Sequence, residues 1–196
     1  MGGMGRWEPN ARGRLQQAAF ELFAERGFEQ TTVTEIAKRA GLTERTFYRH
    51  FADKPEVFFA GLGVLSDGLL AAIHEAPDGA APIEVVGAAL EAVTSDFFED
   101  HRGGARLRQG IIGANAELQE RELIKLARTA DAIAGALRQR GVQDPAASLA
   151  AEAGIAVFRT AWAQWASGGA EASDDPSLPQ LIRESLSALK AVTAGE

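Results

Sequence analysis

The chain has 196 residues, including 38 alanines and no cysteine, with 46% hydrophobic and 24% charged residues and a formal net charge of −7. That length can bury a substantial core in one large domain or in a small head joined to a larger body, and the composition excludes a disordered or collagen-like chain. The lack of cysteine excludes disulfides, thiolate zinc or iron–sulfur sites and a cysteine nucleophile, and suits a reducing cytoplasm.

The net charge hides an asymmetry. Residues 1–54 carry nine Lys or Arg against seven Asp or Glu, net +2, and residues 55–196 carry 11 against 20, net −9. A mildly basic head on an acidic body lets the head alone meet a polyanion while the body is pushed outward. The opening Met1-Gly2-Gly3-Met4-Gly5-Arg6 contains no apolar stretch and the apolar runs are interrupted early, so neither export nor a membrane partner is expected, and the expected location is the cytoplasm.

Leu15, Ala18, Ala19, Leu22 and Phe23 recur at helical spacing and predict an amphipathic helix over Ala11 to Arg26, stopped by Gly27. Thr32-Val33-Thr34-Glu35 reads as a capping box opening a helix of about two turns, with Val33, Ile36, Ala37 and Ala40 facing inward. Gly41 supplies a left-handed turn, Leu42 can plug the corner, and Thr43 caps a third helix, Glu44 to Phe51. On that helix Phe47 and Phe51 point inward, and Glu44, Arg45, Tyr48 and Arg49 share the outward face. Asp53-Lys54-Pro55-Glu56 then starts a fourth helix with a capping carboxylate and a first-turn proline.

Beyond this head the pattern predicts one helix over Val57 to Glu75, a loop at Pro77 to Pro82, and a helix from Ile83 to about Asp100. A break at His101-Arg102-Gly103-Gly104 precedes a short helix near Arg106 to Asn115. Glu117 to Arg140 carries Leu123, Leu126, Ala127, Ala130, Ile133, Ala134 and Leu137 on one face. Asp144-Pro145 opens a helix running to Ser167, and Asp175-Pro176 opens the last, with Leu178, Leu181, Ile182, Leu186 and Leu189 in register. No strand alternation persists. The expected fold is all-α with about nine helices: a three-helix head over 1–54 and a helical body over 55–196.

The segment Gly27-Phe28-Glu29-Gln30-Thr31-Thr32-Val33-Thr34-Glu35-Ile36-Ala37, continued by Ala40-Gly41-Leu42-Thr43 and by Thr46-Phe47-Tyr48-Arg49-His50-Phe51-Ala52-Asp53-Lys54, resembles the N-terminal helix-turn-helix of the TetR family of transcriptional regulators. The resemblance implies a homodimeric, ligand-responsive repressor whose paired heads bind a palindromic operator in double-stranded DNA. In a helix-turn-helix the second helix of the motif enters the major groove, which here is Glu44 to Phe51. Arg45 and Arg49 then suit guanine edges or phosphates, because a guanidinium donates two parallel hydrogen bonds, and Tyr48 offers a hydroxyl to phosphate or a ring to a thymine methyl. Thr32, Thr34, Thr43, His50 and Lys54 sit at helix starts or at the edge of the head, where they can meet the sugar-phosphate backbone; in the family pattern, positions like Tyr48, His50 and Lys54 are phosphate contacts. Thr32 and Asp53 also serve as caps, and Phe47 and Phe51 as core, whatever the function.

The segment Ala146 to Ala166 is apolar nearly all round, so two faces need covering: one by its own core and the other by the same helix of a second subunit. Leu149, Ala153 and Val157 on this helix and Leu181, Leu186 and Leu189 on the last are the expected dimer contacts. The resemblance implies an effector pocket between head and dimer helices, for which Phe59, Leu62, Phe97, Ile111, Asn115, Phe158 and Trp162 are the candidate lining. Phe58, Phe98 and Ile112 are further apolar candidates, with Asp96, His74, His101 and Arg159 as possible polar anchors. No metal or cofactor is expected.

Two other classes stay open: an all-helical enzyme, and a structural helical dimer without sequence-specific DNA binding. Against the first, neither His74 nor His101 follows a Glu by three residues, Ser66 and Ser95 lack Gly-x-Ser-x-Gly surroundings, and Gly61-Leu62-Gly63 lacks a P-loop lysine. Against the second, a structural dimer has no need of a basic third helix.

Overall fold

The computed structural model describes residues 10–97, 102–168 and 175–194, and the side chains of residues 96, 97, 102 and 103 lie outside that description. The chain divides into two compact units, Met1–Ala60 and Gly61–Glu196. Among the described residues the only regular secondary structure is helical.

Three helices build the N-terminal unit: α1 Ala11–Arg26, α2 Val33–Arg39 and α3 Glu44–His50. Asn10 caps α1 by accepting from the Gly13 amide, and Gly27, at φ 86, ends it. The capping box of α2 is complete: the Thr32 hydroxyl accepts from the Glu35 amide, and the Glu35 carboxylate accepts from the Thr32 amide. Between α2 and α3 the chain reverses at Gly41, whose φ of 66 is accessible to glycine at little cost, while the Leu42 amide donates back to the Ala37 carbonyl at 2.8 Å. Leu15, Leu22, Phe23, Ile36, Phe47 and Phe51 are buried beneath this turn.

The fourth segment begins differently from expectation. Pro55–Phe59 is a 3-10 turn preceding α4, Ala60–Glu75, and this tighter start buries Val57, Phe58 and Phe59 in succession. The Phe58 ring stacks on Phe23 at 4.9 Å and meets Phe20 and Phe28 edge-on, so the turn belongs to the head. The first compact unit accordingly runs on through this turn to Ala60.

The C-terminal unit comprises most of α4 with α5 Pro82–Phe97, α6 Arg102–Gly113, α7 Ala116–Gln139, α8 Ala146–Ser167 and α9 Leu178–Ala194. Its core joins Leu65, Leu69 and Ile73 of α4 to Val86 and Leu90 of α5, Ile133 and Leu137 of α7, Ile155 and Phe158 of α8, and Leu178 and Ile182 of α9. Gly154 lets α8 approach α5 closely, since a Cβ there would collide with the Val86 side chain. By length and composition Pro55–Glu75 is apolar enough to cross a membrane, yet its Leu65, Leu69 and Ile73 are buried in this core.

Three details of the body depart from the sequence pattern. Gly103 and Gly104, read as a break, lie in the first turn of α6, where few helical hydrogen bonds depend on them. On α7 the buried stripe passes through Leu118, Leu126, Ala130 and Ile133, which turns Leu123 outward at 53% exposure along with Ala127. On α8 one face is buried, and the other presents Leu149, Glu152, Ala156, Arg159, Thr160 and Ala163, so the helix is not apolar all round in its surroundings.

Candidate nucleic-acid interface

The rigid part of the site is the turn joining α2 to α3. Phe47 and Phe51 anchor α3 from below, with ring centroids 5.4 Å apart, and the Thr43 hydroxyl caps its start by accepting from the Thr46 amide. Helical spacing then turns Glu44, Arg45, Tyr48 and Arg49 outward; all four are exposed, Tyr48 at 56%. The Tyr48 ring rests edge-on against Phe47 at 5.5 Å, which orients it without burying its hydroxyl.

The other described arginines of the head are engaged within it. Arg12 donates to the Ala60 carbonyl and lies over the Phe51 ring, and Arg14 donates to the Ala40 carbonyl. Arg26 pairs with Glu35 at 2.6 Å, and Arg39 forks onto both carboxylate oxygens of Glu25 at 2.8 Å. The Thr32 donors, with Arg26 nearby, hold the Glu35 carboxyl below the usual carboxylate range. Arg45 and Arg49, by contrast, make no hydrogen bond or ion pair with any described residue. The same holds for the exposed Lys38, one turn after Thr34 on α2, whose spacing puts the two on one face.

The remaining expected contacts are placed as follows. Thr32 is exposed, and its hydroxyl is shared between the Glu35 amide and carboxylate. The Thr34 hydroxyl donates to Glu44 Oε1 at 2.6 Å, tying α2 to α3. His50 is half-buried, with Nε2 enclosed and without a hydrogen-bond partner among the described residues. Burial, with Arg49 and Arg12 nearby, pulls its pKa down. Lys54, expected at the backbone of a duplex, instead turns inward: Nζ donates to the carbonyls of Phe28 at 2.7 Å and Thr31 at 2.9 Å. Its partners lie 23 and 26 residues back, beyond the reach of any local pattern.

Of the candidate effector residues, Phe158 and Trp162 are brought together, with ring centroids 5.9 Å apart, and Trp165 completes the cluster at 5.3 Å from Trp162. The Trp162 indole N–H donates to Gln109 Oε1 at 3.1 Å, and the Arg108 guanidinium lies 5.8 Å from its ring while pairing with Glu122 at 2.8 Å. Burial lowers the Arg108 pKa, and Glu122 opposes the shift. Nothing in the sequence marks Arg108, Gln109 or Glu122, because a polar side chain inside a helical pattern reads as solvated. Asn115 caps α7 by accepting from the Leu118 amide. Leu62 and Ile111 are half-buried in the C-terminal unit, and Phe59 is buried and belongs to the N-terminal unit. The side chains of Asp96 and Phe97, and Phe98 and His101 altogether, lie outside the described residues.

The dimer candidates separate. Val157, Leu181 and Leu186 are buried at 4%, 6% and 9% exposure within the chain's own core; an amphipathic stripe marks a buried face without saying what covers it. Leu149 is 65% exposed, and Ala153 and Leu189 are half-buried.

Residues 15–60 match the profile of bacterial regulatory proteins of the tetR family, and residues 80–194 match that of the MftR C-terminal domain. The HTH-type transcriptional regulator TcmR of Streptomyces glaucescens is 39% identical over 82 residues, 42% of this chain and 36% of that protein, so the chain matches little more than a third of that relative's length. Among solved structures, a transcriptional regulator from Pseudomonas aeruginosa PAO1 is 20% identical with a TM-score of 0.64 over 97% of this chain and 94% of its own. FadR from Bacillus subtilis, solved in complex with stearoyl-CoA, is 23% identical with a TM-score of 0.58 over 90% and 96%. These structures share the fold. With both parts of the chain matched, and with a helix-turn-helix whose third helix is held outward on two phenylalanines, the protein belongs to the TetR family.

Proposed function

We propose that this chain is a cytoplasmic, ligand-responsive transcriptional repressor that binds a palindromic operator as a homodimer. The observation that carries this reading is the contrast among the head's arginines: those on α1 and α2 are tied to carbonyls or carboxylates, while Arg45 and Arg49 on α3 point outward without a described partner. An unpaired guanidinium on a rigid helix is ready to donate to guanine O6 and N7 or to a phosphate. Around them Tyr48, Thr43 and Lys38 meet the sugar-phosphate backbone, Thr34 serves the surface through the Glu44 side chain that it holds, and Thr32, His50 and Lys54 brace its edge.

Dimerisation follows the outward face of α8, where Leu149, Ala153 and Ala156 form a stripe of mostly small residues allowing close helix approach, and the half-buried Leu189 of α9 adds apolar surface. Val157, Leu181 and Leu186 serve the chain's own core instead. In the effector site, Phe158, Trp162 and Trp165 supply apolar surface and the Arg108–Glu122 pair supplies polarity. The stearoyl-CoA carried by the Bacillus subtilis FadR joins a long apolar chain to a charged head, in keeping with an effector that has an apolar part for these rings and a polar part for the ion pair. An effector that binds better to a conformation with mis-spaced heads lowers operator affinity by no more than its differential affinity for the two states.

Fluorescence anisotropy on DNA from upstream of the protein's own gene, at two salt concentrations, tests the reading. Sequence-dependent binding that weakens with salt and is lost in Arg45→Ala supports it. Sequence-blind binding, or none, favours a helical protein without an operator.

A further inference from the structure

We propose that Glu44 reads a base, and that each operator half-site presents it with a cytosine whose N4 amino group donates to the Glu44 carboxylate. This rests on the proposal that α3 enters the major groove. Glu44 lies on the same outward face as Arg45, Tyr48 and Arg49, yet it forms no ion pair with either arginine. The only described hydrogen bond of its carboxylate is the one from the Thr34 hydroxyl to Oε1, at 2.6 Å, the short distance of a charge-assisted bond. That bond comes from a different helix, so it fixes the carboxylate relative to the turn, while Oε2 has no described partner.

A fixed carboxylate on a surface that meets DNA repels every phosphate near it, and this cost is recovered only where a donor faces the oxygen. The major groove offers two such donors, cytosine N4 and adenine N6. Adenine N6 is flanked by acceptors on both sides, its own N7 and the thymine O4, which repel the second carboxylate oxygen. Cytosine N4 has an acceptor on one side only, guanine O6, and that is the atom an adjacent guanidinium such as Arg45 is suited to occupy. Glu44 thus rejects sites that lack a cytosine at its position, whereas Arg45 and Arg49 supply most of the attraction.

Selection of binding sites from a randomised DNA duplex library by the full chain, by Glu44→Gln and by Glu44→Ala, with thermal unfolding of each, provides the test. The wild type is expected to enrich a cytosine at one position in each half-site and to lose about fivefold or more in affinity when that base is replaced. Glu44→Ala should lose the preference at that position alone, and Glu44→Gln should move it toward adenine, whose N6 and N7 an amide can engage together. If both variants enrich the same bases as the wild type at every position, the proposal is overturned, and a lowered melting temperature with unchanged preference would make the Thr34–Glu44 bond merely a tie between helices. If the wild type enriches no sequence at all, the operator reading itself fails and this proposal with it.

Discussion

The Lys54 ammonium sits 4.1 Å from the centroid of the Phe28 ring and donates to the Phe28 carbonyl at 2.7 Å, closing the loop after α1 onto the start of the 3-10 turn. Replacing it with methionine keeps much of the apolar stem and leaves the carbonyls of Phe28 and Thr31 without their donor. We expect Lys54→Met to lower unfolding stability by about 2 kcal/mol, because hydrogen bonds from a charged donor are among the stronger ones. A urea titration checks this, and an unchanged midpoint would return Lys54 to a role at the phosphate backbone.

Gly41 holds the angle between α2 and α3. An alanine there meets two penalties: a positive φ of 66, and a Cβ only 2.9 Å from Arg14 Nη2, which donates to the Ala40 carbonyl. Gly41→Ala is expected to cost about 1–2 kcal/mol from the left-handed backbone alone. Operator affinity should fall with it as the mounting of α3 loosens, and calorimetry together with anisotropy on the same samples separates the two effects.

His50 gives the head a pH dependence of known sign. Its pKa is lowered in the folded state by burial and by Arg49 and Arg12, so the folded form binds the proton less readily than the unfolded one. Its stabilising contribution is therefore fully present above the unfolded value of about 6.5 and is lost as pH falls through the lower folded value. Unfolding measured from pH 8 to pH 5 should show the wild type weakening more steeply below about 6.5 than His50→Gln. Parallel curves would assign the acid sensitivity to other groups.

For the dimer, a charge on the outward face of α8 is the sharper probe, because it leaves the subunit's core untouched. Leu149→Asp or Ala156→Glu should shift sedimentation toward the monomer without lowering helix content, and should weaken binding to a two-half-site operator far more than to a single half-site. Unaltered dimers in both variants would place the interface elsewhere.

The head was more legible in the sequence than the body because its elements are bounded by local chemistry. A threonine and a glutamate three residues apart close a capping box without help from the rest of the chain, and Gly41 marks its own turn. Lys54 shows the limit: a lysine reads as a surface cation until the fold brings the carbonyls of Phe28 and Thr31 to it. The same limit governs Leu181 and Leu186, whose periodicity marks an inward face that suits a partner subunit as well as α5 and α8. Glu122 reverses the case: a charge in mid-helix lies on the buried side because Arg108 meets it there, while Leu123 turns to solvent. Asn115 suits a polar anchor in a pocket by its side chain alone, and in the structure that side chain caps α7.

In the proposed complex two copies of the α3 face sit in major grooves on one side of a duplex. Hydroxyl-radical footprinting on the upstream DNA tests it most directly. The account predicts two protected patches related by a two-fold axis, their centres one helical turn, about 34–36 Å, or a whole multiple of it apart, and both lost together in Arg45→Ala. A lone protected patch, uniform protection along the fragment, or a footprint that survives the removal of Arg45 would contradict it.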